Sequence, residues 1–348
     1  MILIKIKFLL LIFIFYQSPI YSKSNSFDDF NSRNLSKYFS GIIAFENKDN
    51  TKALNFFNSS KNLINLHDPY LKRYIYSLVL EDKIPLAIKL IKKNKFEDNS
   101  DFFDARLLLI IDSLKKKDFD QAYLYSSNNT KFRANNKFNL AILENLEQYT
   151  FVFKERQILK NTKNFGKLSK ISETFQRCFL DDKNTDAFFS NLFNDIEVDY
   201  TRYIFFYLSY LIENDQTPKA KKIVEEIDYI NTTLLLSQGK SWIESGNEKK
   251  LIEVFSCKNP NDLISEFLFL ISNLYSSQND FKKSNFYLNL SNFLNPKFTF
   301  NLSLVAENQY QNKEYIKLKK TLRNFKDEDQ FYHWYRIKKE AKIILKTE

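Results

Sequence analysis

The sequence predicts an all-α chain assembled from repeated helix pairs. Its 348 residues hold only four glycines and six prolines, too few to punctuate a large sheet protein, where each hairpin or bulge tends to need one. Without a leader the chain is still about 325 residues, more than one ordinary core, which calls for two domains or a repeating architecture. Alanine is scarce, and five of its eleven positions fall on one lattice: Ala53, Ala87, Ala122, Ala187 and Ala220, continued by Leu251, Ser284 and Leu318. The spacings are 31 to 35, or 65 for two steps. A period near 34 is that of two antiparallel helices joined by a short turn.

The elements follow in chain order. Lys5 and Lys7 precede an apolar run from Phe8 to Tyr16, which ends at Gln17, Ser18 and Pro19. This is the pattern of a secretory signal peptide, 1–22, with cleavage expected after Ser22. The run is about half of the 20 apolar residues that a spanning helix needs. Residues 23–33 read as a short linker, 34–330 as the helical array, and 331–348 as a C-terminal helix, either a cap or the first helix of a further pair.

Within the array, the residue twelve positions before the lattice is where the first helix of each pair lets the second approach. Gly41, Gly239, Ser272 and Ala306 stand there. A helical glycine costs about 1 kcal/mol against alanine, so close packing is the expected reason for it. Four residues after the lattice stand Phe57, Ile91, Val224, Phe255, Leu288 and Leu322, all large and apolar. Ile75, Ile110, Phe175 and Leu208 put bulk where small residues are expected, and 136–165 lacks a clear turn.

These residues resemble the tetratricopeptide repeat (TPR) family, in particular its exported bacterial members, over almost all of the mature chain. The best match carries Ser272, Tyr275, Ser284, Leu288, Ser291 and Pro296 at the small, aromatic and proline-stop positions. The resemblance implies a right-handed α-solenoid of about nine helix pairs, degenerate around 136–165. It also implies that first helices line a concave wall. Carried over position by position, that wall comprises Tyr38, Ile42, Phe45, Tyr76, Val79, Arg202, Phe205, Phe269, Asn273 and Tyr310, an aromatic groove suited to a peptide or helix. Tyr38 and Ile42 stand where some relatives begin the Lys and Asn set that clamps a C-terminal carboxylate. Recognition of chain ends in that manner is not expected.

Reactive chemistry is not legible. His67 and His333 lie several repeats apart and cannot share a site on a solenoid. Gly239-Lys240-Ser241 matches the end of a phosphate loop, but Leu234 stands where that loop needs its first glycine. No Gly-x-Ser-x-Gly, His-Glu-x-x-His or Cys-x-x-Cys is present. Asp181 and Asp182 read as solvated turn residues. No catalytic residue, metal site or cofactor is therefore expected. Cys178 and Cys257 fall in repeats two apart, on the order of 20 Å at the 8–10 Å spacing of packed helices. Two unbridged thiols are expected, because a bridge needs Cα atoms within about 7 Å.

The formal charge is +10, or +8 once Lys5 and Lys7 leave. Only nine of the 52 basic residues are Arg, and acids such as Asp118 and Asp120 stand beside the lysine runs, so nucleic acid is not an expected partner. The functional expectation is a non-catalytic scaffold or adaptor in the bacterial periplasm, binding a protein or peptide. A membrane enters only if the leader stays uncut. The rival is a solenoid arm of an enzyme that processes cell-wall glycan, which would also need a compact catalytic domain.

Overall fold

The computed structural model describes residues 32–94, 101–127, 137–193 and 201–347. The expected leader and most of the linker lie outside them. The described residues form helices, with no strand among them. In order these are α1 (Ser32–Glu46), α2 (Asn50–Asn58), α3 (Asp68–Leu80), α4 (Ile84–Lys93), α5 (Phe103–Lys115) and α6 (Phe119–Ser127). Then come α7 (Lys137–Glu155), α8 (Lys167–Leu180), α9 (Thr185–Phe193), α10 (Thr201–Glu213), α11 (Thr217–Glu225) and α12 (Leu234–Glu244). The last six are α13 (Lys249–Val254), α14 (Pro260–Ser277), α15 (Phe281–Leu294), α16 (Leu302–Gln311), α17 (Tyr315–Leu322) and α18 (Gln330–Thr347).

One turn recurs. Lys48, Asp82, Lys117, Asp181, Asp215, Gly246, Asn279 and Lys313 all have positive φ, and each sits between the two helices of a pair. Their spacings are 31 to 35, with one double step of 64. At each, the next residue's N–H reaches back five residues, as from Asp49 to Ala44 O (3.0 Å), Asp118 to Ser113 O (2.9 Å) and Glu314 to Gln309 O (2.8 Å). That is the Schellman closure, which satisfies carbonyls the helix end leaves open. The residue after the turn then starts the second helix: Asp49 and Asp280 accept from the N–H three residues on, at 3.0 and 3.1 Å.

The chain divides at Leu71 into two units. In the first, a β-carbon on Gly41 would stand 2.6 Å from Phe57 Cε1, so α1 and α2 touch as the glycine implied. Tyr38 is buried among Phe57, His67 and Tyr70, and the Tyr70 hydroxyl bonds the Phe57 carbonyl.

In the second unit, Gly239 lies against Phe205 and Leu251, and Ser272 Oγ meets Ser284 Oγ at 2.9 Å. Ala87, Ala122, Ala220, Leu251, Ser284 and Leu318 are all buried, as is Ala53 in the first unit. Ala187 is exposed, which corrects the lattice there. Three residues, Asp182 to Asn184, follow the Asp181 turn where most turns have one, so α9 starts late. Phe189 takes the buried position and packs on Phe175, the bulky residue of α8.

Over 136–165, where a degenerate pair without a clear turn was expected, the described residues hold no second helix. A single helix, α7, runs from Lys137 to Glu155, and residues 156–166 are irregular, so eight pairs with the recurring turn stand among the described residues. Arg156 and Asn161 take positive φ there without starting a second helix.

Contacts also go beyond neighbouring pairs. The first half of α14 is buried on every side, from Leu263 to Leu268, as a helix at the centre of a core must be. It packs on α5, α7 and α8, and α15 packs on α5. Helix ends are tied across these distances. Lys115 Nζ donates to Phe293 O (2.8 Å) and Leu294 O (3.0 Å) at the end of α15, and Asn289 Nδ2 donates to Val79 O (2.8 Å) at the end of α3.

Cys178 and Cys257 are bonded, with Cα atoms 5.6 Å apart. The expectation of two separate thiols is thereby overturned. Its premise was a straight stack, whereas here Phe175, Phe206 and Phe255 close into one cluster that draws the end of α8 to the segment after α13. Ser209 Oγ on α10 seals it with a bond to Phe255 O at 2.6 Å.

Candidate interaction surface

The ten positions carried over as a concave wall meet different fates. In the first unit Tyr38 is buried, while Ile42 and Phe45 on the same helix are half-buried. In the second unit Val79 and Phe205 are fully buried and offer no surface. Tyr76 is half-buried with its ring stacked on Phe286, centroids 4.7 Å apart. Tyr310 is half-buried beside Tyr315 and under the Lys339 ammonium. Asn273 is exposed on the second half of α14.

Arg202 and Phe269 are brought together, but around an internal ion pair. The Arg202 Nε and one terminal nitrogen meet the two Glu266 oxygens at 2.8 and 2.7 Å, and the same nitrogen reaches Asn301 Oδ1 at 2.7 Å. The guanidinium lies 3.8 Å from the Phe269 ring centroid. Burial by itself would push the guanidinium pKa down, and the Glu266 charge more than reverses this, while burial pushes the Glu266 carboxyl up against the pull of Arg202. Such planar, two-bond recognition fixes geometry, here joining α10, α14 and the turn before α16. It leaves the Arg202 side chain 20% exposed, with its guanidinium engaged.

Sequence reasoning missed the polar group beside Tyr76. Asp104 opens α5 half-buried, and burial pushes its carboxyl up to about 6 against the pull of Lys72 and Lys283. Tyr275 stacks on Tyr287 and is crossed by Phe138, and burial, then Asp280 and Asp104, push its hydroxyl up to about 12. Tyr76 is raised by burial, then by Asp104 and Asp280. Only Tyr275 carried a sequence signal, as the aromatic position of the best repeat. Asp104 had none, because its neighbours come from α3 and α15.

Other flagged residues have structural employment. Lys240 is buried and donates to Val224 O (2.7 Å) and Ile227 O (2.6 Å), closing the end of α11. Asp181 makes the αL turn, and Asp182 accepts from Arg177 at 3.0 Å. His333 Nδ1 sits 2.9 Å from Asp327 Oδ1 beside Arg336. No group of three or more His, Cys, Asp or Glu residues is placed to hold a metal among the described residues. No helix among them is long and apolar enough to cross a membrane. No family model matches the chain, and no curated protein or solved structure matches it either.

Proposed function

We propose that this protein is an exported, right-handed helical-repeat solenoid of the TPR type, and that it acts without catalysis as an adaptor for a protein or peptide partner in the bacterial periplasm. The observation that carries the reading is the turn that occurs eight times at spacings of 31 to 35 residues, with one double step of 64. One helix pair cannot bury its own apolar flank, so repeats of this length are stable only when stacked, and stacking creates extended surfaces used for binding. The Cys178–Cys257 bond supports export, since disulfides persist in oxidising compartments.

Because its own helices fill part of the expected groove, the partner surface is narrower than ten residues. In the second unit, outside the polar group around Tyr76, Asn273 is exposed and Tyr310 half-buried, while Arg202 and Phe269, also half-buried, are engaged by the Glu266 ion pair and by each other. A photoreactive p-benzoyl-phenylalanine placed at Asn273 or Tyr310 in the native host should crosslink one recurring envelope protein. The same group at Leu124, 59% exposed on a second helix, should not. Identical labelling from all three positions, or none from any, removes the proposal.

A further inference from the structure

The last helix has two unlike faces. Tyr332, Lys339 and Ile343 are buried: Tyr332 packs on Phe300 and Phe325, and Lys339 pairs with Glu307 at 2.6 Å. The other side of α18 carries Trp334 at 62% exposure, Ile337 at 40%, Ile344 at 52% and Leu345 at 78%, with exposed Ala341 between them. At about 100° per residue these five fall within an arc of about 100°, a continuous apolar strip. Exposed Lys338, Lys342 and Lys346 form a second strip directly beside it.

Charge decides what fits there. Residues 313–348 hold eleven Lys and Arg against six Asp and Glu, a balance of +5 and half of the chain's +10. A second copy of α18 laid on the strip would bring the same ammonium groups with it. A nucleic acid would answer the lysines but leave the isoleucines, leucine and tryptophan in water. An anionic lipid surface answers both, because acyl chains take the apolar strip, headgroup charge meets the lysines, and an indole ring is suited to the boundary between them.

We infer that α18 attaches the protein peripherally to an anionic phospholipid surface, lying in the interface with Trp334, Ile337, Ile344 and Leu345 inserted and Lys338, Lys342 and Lys346 against the headgroups. The inference does not depend on the adaptor reading. It concerns a different face and a different ligand.

The full chain, disulfide intact, is floated with phosphatidylcholine vesicles made with or without phosphatidylglycerol. Wild type should float with the anionic vesicles, and its emission should move to the blue. Trp242 is already buried, so that shift reports Trp334. K338E/K342E/K346E should weaken binding by at least about tenfold, I344S/L345S should lose both flotation and the Trp334 shift, and W334S/I344S should lose flotation, with circular dichroism unchanged in all three. Equal flotation with neutral vesicles, or none with either, overturns the inference. So does an oligonucleotide bound as tightly by W334S/I344S as by wild type, or a dimer in ultracentrifugation that W334S/I344S dissolves.

Discussion

Arg202 on α10 holds Glu266 on α14 through two parallel hydrogen bonds, at 2.8 and 2.7 Å, although 64 residues separate them. Glu266 is 3% exposed, so removing the guanidinium strands a carboxylate in the core. Breaking such a pair from one side costs about 3–5 kcal/mol, whereas an apolar pair of similar volume is often tolerated. R202M should lower stability by that amount in urea unfolding, and R202M/E266L should recover most of it. A double variant as unstable as the single would show that packing, not the uncompensated charge, is what R202M removes.

The disulfide closes a loop with a sequence separation of 79. The chain-entropy model gives about 4–5 kcal/mol for a loop near this length, and native bridges typically contribute 2–5. Thiol titration of the unfolded, unreduced protein should detect no free thiol. C178S/C257S should unfold at clearly lower urea concentration than wild type. Two titratable thiols in protein purified from an oxidising compartment would contradict the bond.

Seven of the eight recurring turns hold a side chain at positive φ. An L-residue there costs roughly 1–2 kcal/mol, which glycine avoids at a smaller entropic cost of its own. Lys48→Gly, Lys117→Gly and Lys313→Gly should each stabilise the protein, by about 0.5–1 kcal/mol. Gly246→Ala should do the reverse. The test is the thermal midpoint of each variant, and a uniform loss would mean these turns relax in solution.

Gly239 has no room for a methyl group. Its added carbon would lie 2.8 Å from Phe205 Cδ2, and overpacking a filled core costs about 1–3 kcal/mol. That outweighs the gain in helix propensity of about 1 kcal/mol. G239A should therefore destabilise in chemical unfolding, and G239A/F205L should recover part of the loss.

Asp104 and Asp262 have carboxyls pushed up to about 6, by burial in both cases. The folded state then binds these protons more tightly than the unfolded state, so this stability is full below about pH 4 and is lost as pH rises to about 6. D104N keeps a neutral side chain throughout. It should show a smaller decline between pH 4 and 6 than wild type, measured by urea midpoints across that range.

Read from the residues alone, the helical class, the 34-residue period and the close approach at Gly41 and Gly239 were all legible. They are local matters, set by helical spacing and by which side chain faces the partner helix one turn away. The recurring turn was hidden, because only Gly246 among its eight αL residues is a glycine. The acidic or amide residue that often follows, as in Lys48-Asp49, Lys117-Asp118 and Asn279-Asp280, was the signal to follow. The late start of α9 was not legible, since two extra turn residues shift burial without changing composition, whereas the lone α7 was foreshadowed by the missing turn over 136–165.

What the tertiary structure alone decided is which distant helices meet. Contacts between residues far apart in sequence leave no local pattern in it, so no period records them. Within the second unit they bring Cys178 within bonding distance of Cys257, set Lys115 over the end of α15, and bury Val79 and Phe205 where an open wall was expected. The sequence determined which side of each helix is oily, and the long-range packing of the helices determined what covers it.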